Sequence, residues 1–488
     1  MKLQELLSHV IVQKILGAKD VDISHISQDS RDIKENTLFV ATVGTQVDGH
    51  LYISEAIEKG AIAIVCETLP KMVDSSISYI LVEDSNFALA NIASNFYGNP
   101  SADLKIIAIT GTNGKTSIAH LLYQSLLFLG KKVAIFSTAG DFVNGEKIFL
   151  ERKAPTSLEL IELQKNLRMV KDDYQCEFVC LEATSHALDQ NRLGSTNVSA
   201  AVFTNLSQDH LNYHKTIENY AKAKKKLFDL LPESSFALIN IDDPWGTFMF
   251  QDTQARIFTY SSKNKNEVDY FYSVQKMGLR GSRFLLKDIL FTSQLLGFFN
   301  TTNLVAVIGV LEQLGFSLES LIPVISDLKG AEGRMEIVSS QRQDFIAVVD
   351  YAHSPDSLSQ VLDILQEISH NKIITVVGVG GGEDREKRPI MGDIAILKSD
   401  YTFFTNDNPR FDDPGEIFSD LTQNTQELNS WKVIPDRETA IREAIRMLTP
   451  GDILLVAGKG HEEYQEINGI KYPFKDKSII EKYLTKEI

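Results

Sequence analysis

The chain has 488 residues, which at roughly 150 residues per domain implies about three domains. Hydrophobic residues make up 43% and charged residues 23%, a globular balance that excludes a largely disordered chain. Lys plus Arg is 49 against 65 for Asp plus Glu, so the net charge of −16 excludes an overall pull toward nucleic acid or an anionic membrane. A local basic pocket for an anionic small molecule stays open. Cys66, Cys176 and Cys180 are too few for a disulfide scaffold and fit a reducing cytosol. No apolar run approaches the ~18 residues that a membrane span needs. The N-terminal stretch MKLQELLSHVIVQKIL has apolar residues at helical spacing and predicts an amphipathic first helix. It has neither the unbroken apolar core nor the cleavage site of a secretory signal, so a cytoplasmic location is expected.

Residues 1–100 carry short β-rich runs, TLFVATVG at 37–44, AIAIV at 61–65 and YILVED at 79–84. The turn-prone YGNPSAD at 97–103 reads as a linker. From 104 the pattern changes. LKIIAIT, KKVAIF, EFVCLE, AAVFTNL and FALINID read as buried strands with helices between most of them, which indicates a parallel sheet covered on both faces. Residues 265–298 lose the alternation and predict a β-hairpin appendage, and 303–315 predict a helix. A second α/β sheet begins near Gly333, with strands FIAVVDYA, KIITVVGVGG, YTFFTND, WKVIP and DILLVAG. The expected fold is α/β in three domains: a small N-terminal α/β domain (1–100), a central domain with a parallel sheet (101–332) and a C-terminal Rossmann-like domain (333–488).

The strongest chemical signal is ITGTNGKTS, Ile109 to Ser117, between a strand and a helix. Gly111 and Gly114 allow backbone N–H groups to turn inward around phosphate oxygens, with Thr112 and Asn113 between them. Lys115 adds charge, Thr116 offers a hydroxyl to Mg²⁺, and Ser117 lies in the first helical turn, whose positive end favours anions. The loop is a shortened variant, because Ile109 stands where the usual pattern has Gly. Metal ligands are expected from neighbouring strand ends, where Glu182 and His210 lie. In the predicted helix 217–231, Ile217, Tyr220, Ala221, Leu227, Phe228 and Leu231 form one apolar stripe, and Lys224 falls in its middle. A core-facing ammonium needs a partner or a changed charge. Two readings stand side by side: a snorkelling lysine, or a neutral amine able to react with CO₂ to give a carbamate ligand for Mg²⁺.

The chain resembles the Mur ligase family, and within it the branch that adds a diamino acid. The resemblance runs through SQDSR (27–31), TQVDGH (45–50), GTNGKT (111–116), LEATSHAL (181–188), NLSQDHLNYH (205–214), YAKAK (220–224), GRME (333–336), DYAHSPDSL (350–358), KRP (387–389), DNPR (407–410) and GKGHE (458–462). It implies an ATP-dependent ligase of peptidoglycan precursor synthesis that uses Mg²⁺, with Lys115, His210 and a carbamylated Lys224 as catalytic residues. Thr116, Glu182, His210 and Lys224 would hold metal. Ser30, Thr184, Gln190 and Arg192 fall on contacts to UDP-MurNAc-L-Ala-D-Glu, and Asn303, Arg334 and Asp350 join the loop 111–117 on ATP. Asp407, Asn408, Pro409, Arg410, Gly458 and Glu462 fall on the incoming amino acid, expected to be meso-diaminopimelate rather than L-lysine. His353 lies in a matching motif, with either an orienting or a structural role. No nucleic-acid partner is expected, and the chain is expected to be a monomer.

Two departures stand out. Lys153 and Ala154 replace a pair of threonines before Pro155, and Lys153 is expected to act as a substitute cation. Glu383 stands where the diaminopimelate enzymes carry an arginine, and Arg385 is expected to compensate. A folate polyglutamyl ligase shares the shortened loop but has no reason to carry DNPR and GKGHE. A regulatory phosphate-loop module would release phosphate in response to a protein partner instead of a muramoyl dipeptide.

Overall fold

A computed structural model describes all residues except 45–46, 151–156, 279, 339–344, 370, 425–429 and 487–488. Lys153, Ala154 and Pro155 therefore lie outside the described residues. The chain divides into two compact units, Met1–Lys115 with Leu126–Tyr260, and Thr116–Ser125 with Ser261–Ile488.

In the first unit, β1 (Val12–Leu16), β2 (His25–Ser27), β3 (Thr37–Val40), β4 (Ala61–Cys66) and β5 (Ser78–Val82) form a sheet in the order β1-β5-β4-β3-β2. Only β1 runs antiparallel to its neighbour. The expected first helix is corrected here. A helix covers only Leu3–Leu6, and His9 then takes a left-handed conformation with φ of 59° that breaks the helical path. The segment after it pairs Val12 with Val82 and Ile15 with Ile80. Val10, Ile11, Val12 and Ile15 are β-branched, and cross-strand packing outweighs the helical spacing of the apolar residues.

The same unit holds a second sheet of β6 (Lys105–Thr110), β7 (Val133–Ser137), β8 (Gly140–Val143), β9 (Glu146–Ile148), β10 (Phe178–Glu182), β11 (Val198–Phe203), β12 (Phe236–Asn240) and β13 (Arg256–Ser261). The order is β13-β12-β11-β6-β10-β7-β8-β9. From β13 to β7 the strands are parallel, and β8 and β9 add an antiparallel hairpin that the sequence did not announce. Every residue of β7, β10 and β12 is buried, which explains their near-continuous apolar sequence. Parallel register brings Glu182 opposite Ile109 and Phe203 opposite Thr110. The ends of β10, β6 and β11 thus meet at one edge, where ligands bind in such sheets.

In the second unit, the expected hairpin is an antiparallel trio of β14 (Tyr270–Gly278), β15 (Gly281–Leu286) and β16 (Ile289–Ser293). The helix expected at 303–315 spans Phe298–Gln313. Strands β17 (Glu336–Ile337), β18 (Ile346–Asp350), β19 (Ile373–Val377), β20 (Tyr401–Phe404), β21 (Trp431–Val433) and β22 (Ile453–Ala457) form a sheet in the order β17-β18-β22-β19-β20-β21, parallel except for β17. Apolar cores cover both of its faces, one around Val348, Leu362, Met391 and Leu455, the other around Val349, Val376, Ile441 and Val456. A small hairpin of β23 (Tyr464–Ile467) and β24 (Ile470–Pro473) follows. Among the described residues, no helix is long and apolar enough to cross a membrane.

Candidate active site

The loop after β6 turns through Gly111 at φ 152° and Gly114 at φ 87°, and the helix Lys115–Phe128 starts directly after it. A Cβ on Gly111 would come within 1.8 Å of Thr204 Oγ1, so only glycine fits there. The chain after β11 clamps the loop. Thr112 N donates to the Asn205 carbonyl at 2.8 Å, Asn113 N donates to Asn205 Oδ1 at 2.9 Å, and Thr204 Oγ1 donates to the Asn113 carbonyl at 2.6 Å. Lys115 Nζ lies over the loop and donates to the carbonyls of Gly111 and Thr112 at 3.0 and 2.8 Å. Thr116 is buried, and Ser117 in the first turn is partly exposed. Tyr220 also supports the loop, its hydroxyl 3.3 Å from Thr112 Oγ1.

Lys224 is 1% exposed, in the stripe with Tyr220, Ala221, Leu227 and Phe228, while Lys222 and Lys226 face solvent. Its Nζ donates to the Gly111 carbonyl at 2.7 Å and lies 4.4 Å from the centre of the Tyr220 ring. Burial first, and then the neighbouring charge of Lys115, hold its pKa well below the usual lysine range; Asp209 and Glu182 oppose this. Glu182 is buried at the end of β10, and its Oε2 accepts from Thr138 N at 3.0 Å and Thr138 Oγ1 at 2.9 Å. His210 sits in a left-handed conformation with its side chain 46% exposed, and burial lowers its pKa against the pull of Asp209. Its ring is 4.9 Å from that of His186 and 6.1 Å from Tyr220.

This donor set fits a polyphosphate at the loop and a hard cation beside it. Glu182 offers carboxylate oxygen, Thr116 directly follows Lys115 in the chain, and magnesium fills its remaining positions with phosphate and water. As an amine Lys224 is no ligand; as a carbamate it would be. Among the described residues no group of three His, Cys, Asp or Glu converges as a metal cage.

A cavity of about 1140 Å³ lies in the first unit, between its two sheets. Ser30, Gln190 and Arg192 line it, with Thr42, Asn86 and Lys226. Arg192 Nε donates to Gln190 Oε1 at 3.0 Å, and its Nη2 pairs with Glu159 at 3.0 Å. Gln190 Nε2 reaches the hydroxyl of Tyr213 at 3.2 Å. Thr184 is not in the cavity wall. Its hydroxyl caps the helix Ser185–Asp189 and lies 3.0 Å from Ser157 Oγ. Lys226 lies off the apolar stripe of its helix and so can face the cavity.

In the second unit, Asp350 ends β18. Its Oδ2 accepts from Met335 N and its Oδ1 from Ala352 N, both at 2.7 Å, and burial raises its pKa against the opposing charge of Arg334. The Arg334 guanidinium lies 4.8 Å from the centre of the Tyr351 ring. Arg334 Nε and Asn303 Nδ2 are buried with no hydrogen-bond partner among the described residues. Buried donors without acceptors are costly, so both suit a ligand that brings acceptors. His353 Nδ1 lies 2.8 Å from the Tyr351 carbonyl.

The loop after β20 holds Asp407, Asn408 and Pro409, all buried, and Arg410 in a left-handed conformation with φ of 51°. Asn408 Nδ2 donates to Glu462 Oε2 at 2.8 Å, and the buried Lys459 donates to Asn408 Oδ1 and Glu462 Oε2 at 2.9 and 2.8 Å. A Cβ on Gly458, at φ 112°, would come within 2.4 Å of Asp407 Oδ2. Burial raises the Asp407 pKa, and Lys459 and Arg437 oppose it. Arg410 Nη1 donates to the Gly381 carbonyl at 2.6 Å and lies 3.4 Å from Glu383 Oε1; it does not pair with Asp412, which holds Arg388 instead. The expected compensation by Arg385 is corrected. Arg385 is 59% exposed and pairs with Glu416 and Asp420, drawn away by acids on the helix Pro414–Thr422. Besides Arg410, the cation on Glu383 is Lys387.

Three family models match the chain: the Mur ligase family catalytic domain over residues 22–97, the Mur ligase middle domain over 109–311, and the Mur ligase glutamate ligase domain over 333–460. The chain is 41% identical over 484 residues to the UDP-N-acetylmuramoyl-L-alanyl-D-glutamate–2,6-diaminopimelate ligase of Bacteroides fragilis, covering 98% of each. It is 42% identical over 481 residues to the ligase of the same name from Parabacteroides distasonis, again covering 98% of each. A solved structure bearing that name superposes with a TM-score of 0.73 at 34% identity, covering 100% of this chain and 99% of the other. The MurF ligase of Thermotoga maritima in complex with ADP, at 19% identity and a TM-score of 0.58, covers 95% of this chain and 98% of its own, and shares the fold. With these matches spanning nearly its whole length, the chain belongs to the Mur ligase family, as an ATP-dependent ligase.

Proposed function

We propose that this chain joins meso-diaminopimelate to the D-glutamate γ-carboxylate of UDP-MurNAc-L-Ala-D-Glu, with hydrolysis of ATP to ADP and phosphate. A carboxylate does not react with an amine directly, because oxide would have to leave. Transfer of the ATP γ-phosphoryl to the carboxylate gives an acyl phosphate, and attack by the amine then expels phosphate through a tetrahedral intermediate. In this reading Lys115 turns from the loop carbonyls onto phosphate oxygens, and Gly111 to Ser117 cradle the chain of phosphates. Thr116, Glu182, His210 and a carbamylated Lys224 would hold Mg²⁺, which would supply charge neutralisation. Asn303, Arg334 and Asp350 contact the nucleotide, and Ser30, Thr184, Gln190 and Arg192 hold the muramoyl dipeptide. The protein works in the cytoplasm, as a monomer.

The choice of amino acid rests on Arg410. Its Nη2 has no hydrogen-bond partner among the described residues, at the C-terminal edge of a parallel sheet and beside buried Asn408 and Glu462. Meso-diaminopimelate differs from lysine by one distal carboxylate, which a guanidinium binds with charge-assisted bonds. Glu383 beside Arg410 favours a second reading, L-lysine. A panel of amino acids with ATP and UDP-MurNAc-L-Ala-D-Glu, read by phosphate release and mass spectrometry of the UDP product, separates them. Meso-diaminopimelate is expected to be used well and L-lysine poorly; equal use would reject the first reading.

A further inference from the structure

Glu383 occupies a notch that Gly380 leaves open, where a Cβ would come within 2.6 Å of Glu383 Oε1. Its carboxylate touches two cations. Oε1 lies 3.4 Å from Arg410 Nη1, and Oε2 pairs with Lys387, four residues on. Lys387 Nζ also donates to the His353 carbonyl at 2.9 Å, and its side chain is only 15% exposed, so the ammonium is fixed against Glu383. Burial works to raise the Glu383 pKa, but Lys387 and, more weakly, His353 and Arg410 outweigh it, and the carboxyl stays below its usual range and ionised. Arg410 has one more acid nearby, Glu466, at 3.9 Å from Nε.

We propose that Lys387 is a specificity-determining residue: it holds Glu383 and so leaves Arg410 able to take a carboxylate of the incoming amino acid. This inference rests on the substrate reading above. Arg410, Lys387, Glu383 and Glu466 together balance in formal charge. Without Lys387 the group carries one net negative charge, and Glu383 is left with Arg410 as its one cationic partner. A second carboxylate then meets repulsion and a guanidinium already neutralised. Lysine brings a distal ammonium and no distal carboxylate, so the loss of Lys387 does not penalise it in the same way. The pair thus answers how an acid beside Arg410 is compatible with an anionic substrate group.

The test is a double-mutant cycle on the full chain, with steady-state kinetics on meso-diaminopimelate, L-lysine and UDP-MurNAc-L-Ala-D-Glu. Lys387→Met is expected to raise KM for meso-diaminopimelate about tenfold or more, leave KM for the UDP substrate within about twofold, and shrink the preference over L-lysine. Adding Glu383→Gln to that variant is expected to restore KM to within about threefold of the unmodified enzyme, because the anion that Lys387 neutralised is gone. Lys387→Gln, which keeps a donor and length but not charge, serves if the methionine variant does not fold. Loss of activity that is uniform across the substrates, or a double variant no better than the single one, overturns the proposal and leaves the substrate reading standing. An unmodified enzyme that does not use meso-diaminopimelate overturns the substrate reading, and the proposal with it.

Discussion

Lys224 and Lys115 share one acceptor, the Gly111 carbonyl, yet stand in opposite surroundings. Lys224 is sealed in the core, and Lys115 is partly exposed. Lys115→Ala should abolish ligation in a folded protein, since this side chain packs on the loop and not in the core; normal turnover by a folded variant would reject the phosphate loop. Lys224→Ala should be nearly inactive and partly rescued by a small added carboxylate filling the place of the carbamate. Lys224→Arg should stay inactive, because a guanidinium remains cationic. Full activity in the arginine variant would show that positive charge, not a carbamate, is what the site uses. His214 gives a stability test. Burial first, and then His186, lower its pKa to about 4, against about 6.5 in an unfolded chain. The unfolded state therefore binds the extra proton between those values. The stability from this group is complete above pH about 6.5 and is lost as pH falls toward about 4. His214→Asn should flatten that slope in urea midpoints taken across the window, and an unchanged slope would count against the burial argument.

Among the elements, the helix Ile217–Asp229 carries Lys224, and its start is fixed by Thr216, whose hydroxyl accepts from Asn219 N at 3.2 Å. Thr216→Ala should lower stability by about 1 kcal/mol, measured by urea denaturation. The turn from β6 into its helix is less forgiving. Gly111→Ala puts a Cβ 1.8 Å from Thr204 Oγ1, so it should weaken ATP binding far more than Thr216→Ala does, as calorimetry with a non-hydrolysable ATP analogue would read. The apolar stripe of that helix was legible because burial on one side imposes a period of about 3.6 residues. The N-terminal segment had the same spacing, yet its second half became a strand, because pairing with β5 offered more than continuing an isolated helix. The hairpin of β8 and β9 was not legible, since GDFVNGEKI is short and half polar. Its turn at Asn144 and Gly145, both at positive φ, was the signal available.

At the scale of the molecule, the two compact units each carry their own candidate subsites. Hydrogen exchange should therefore give separate footprints. The UDP dipeptide should protect residues around Ser30, Gln190 and Arg192, and meso-diaminopimelate should protect the loops 378–383 and 407–410. Protection by meso-diaminopimelate confined to the 28–31 region would refute the assignment of Arg410. The sequence by itself determined the alternation of apolar strands and helices, the phosphate loop at a strand-to-helix turn, and the place of a lysine on an apolar helical stripe. These are consequences of local period, glycine geometry and side-chain volume, which neighbours along the chain define. Tertiary structure alone decided which strand ends meet, that Thr138 holds Glu182, that Gly111 must be glycine because Thr204 lies against it, and that Lys387 rather than Arg385 answers Glu383. Those depend on pairing and charge contacts between segments far apart or on different elements. Sequence spacing carries no information about which of several nearby cations a folded carboxylate will face; the packing of the helix Pro414–Thr422, whose acids capture Arg385, settles it.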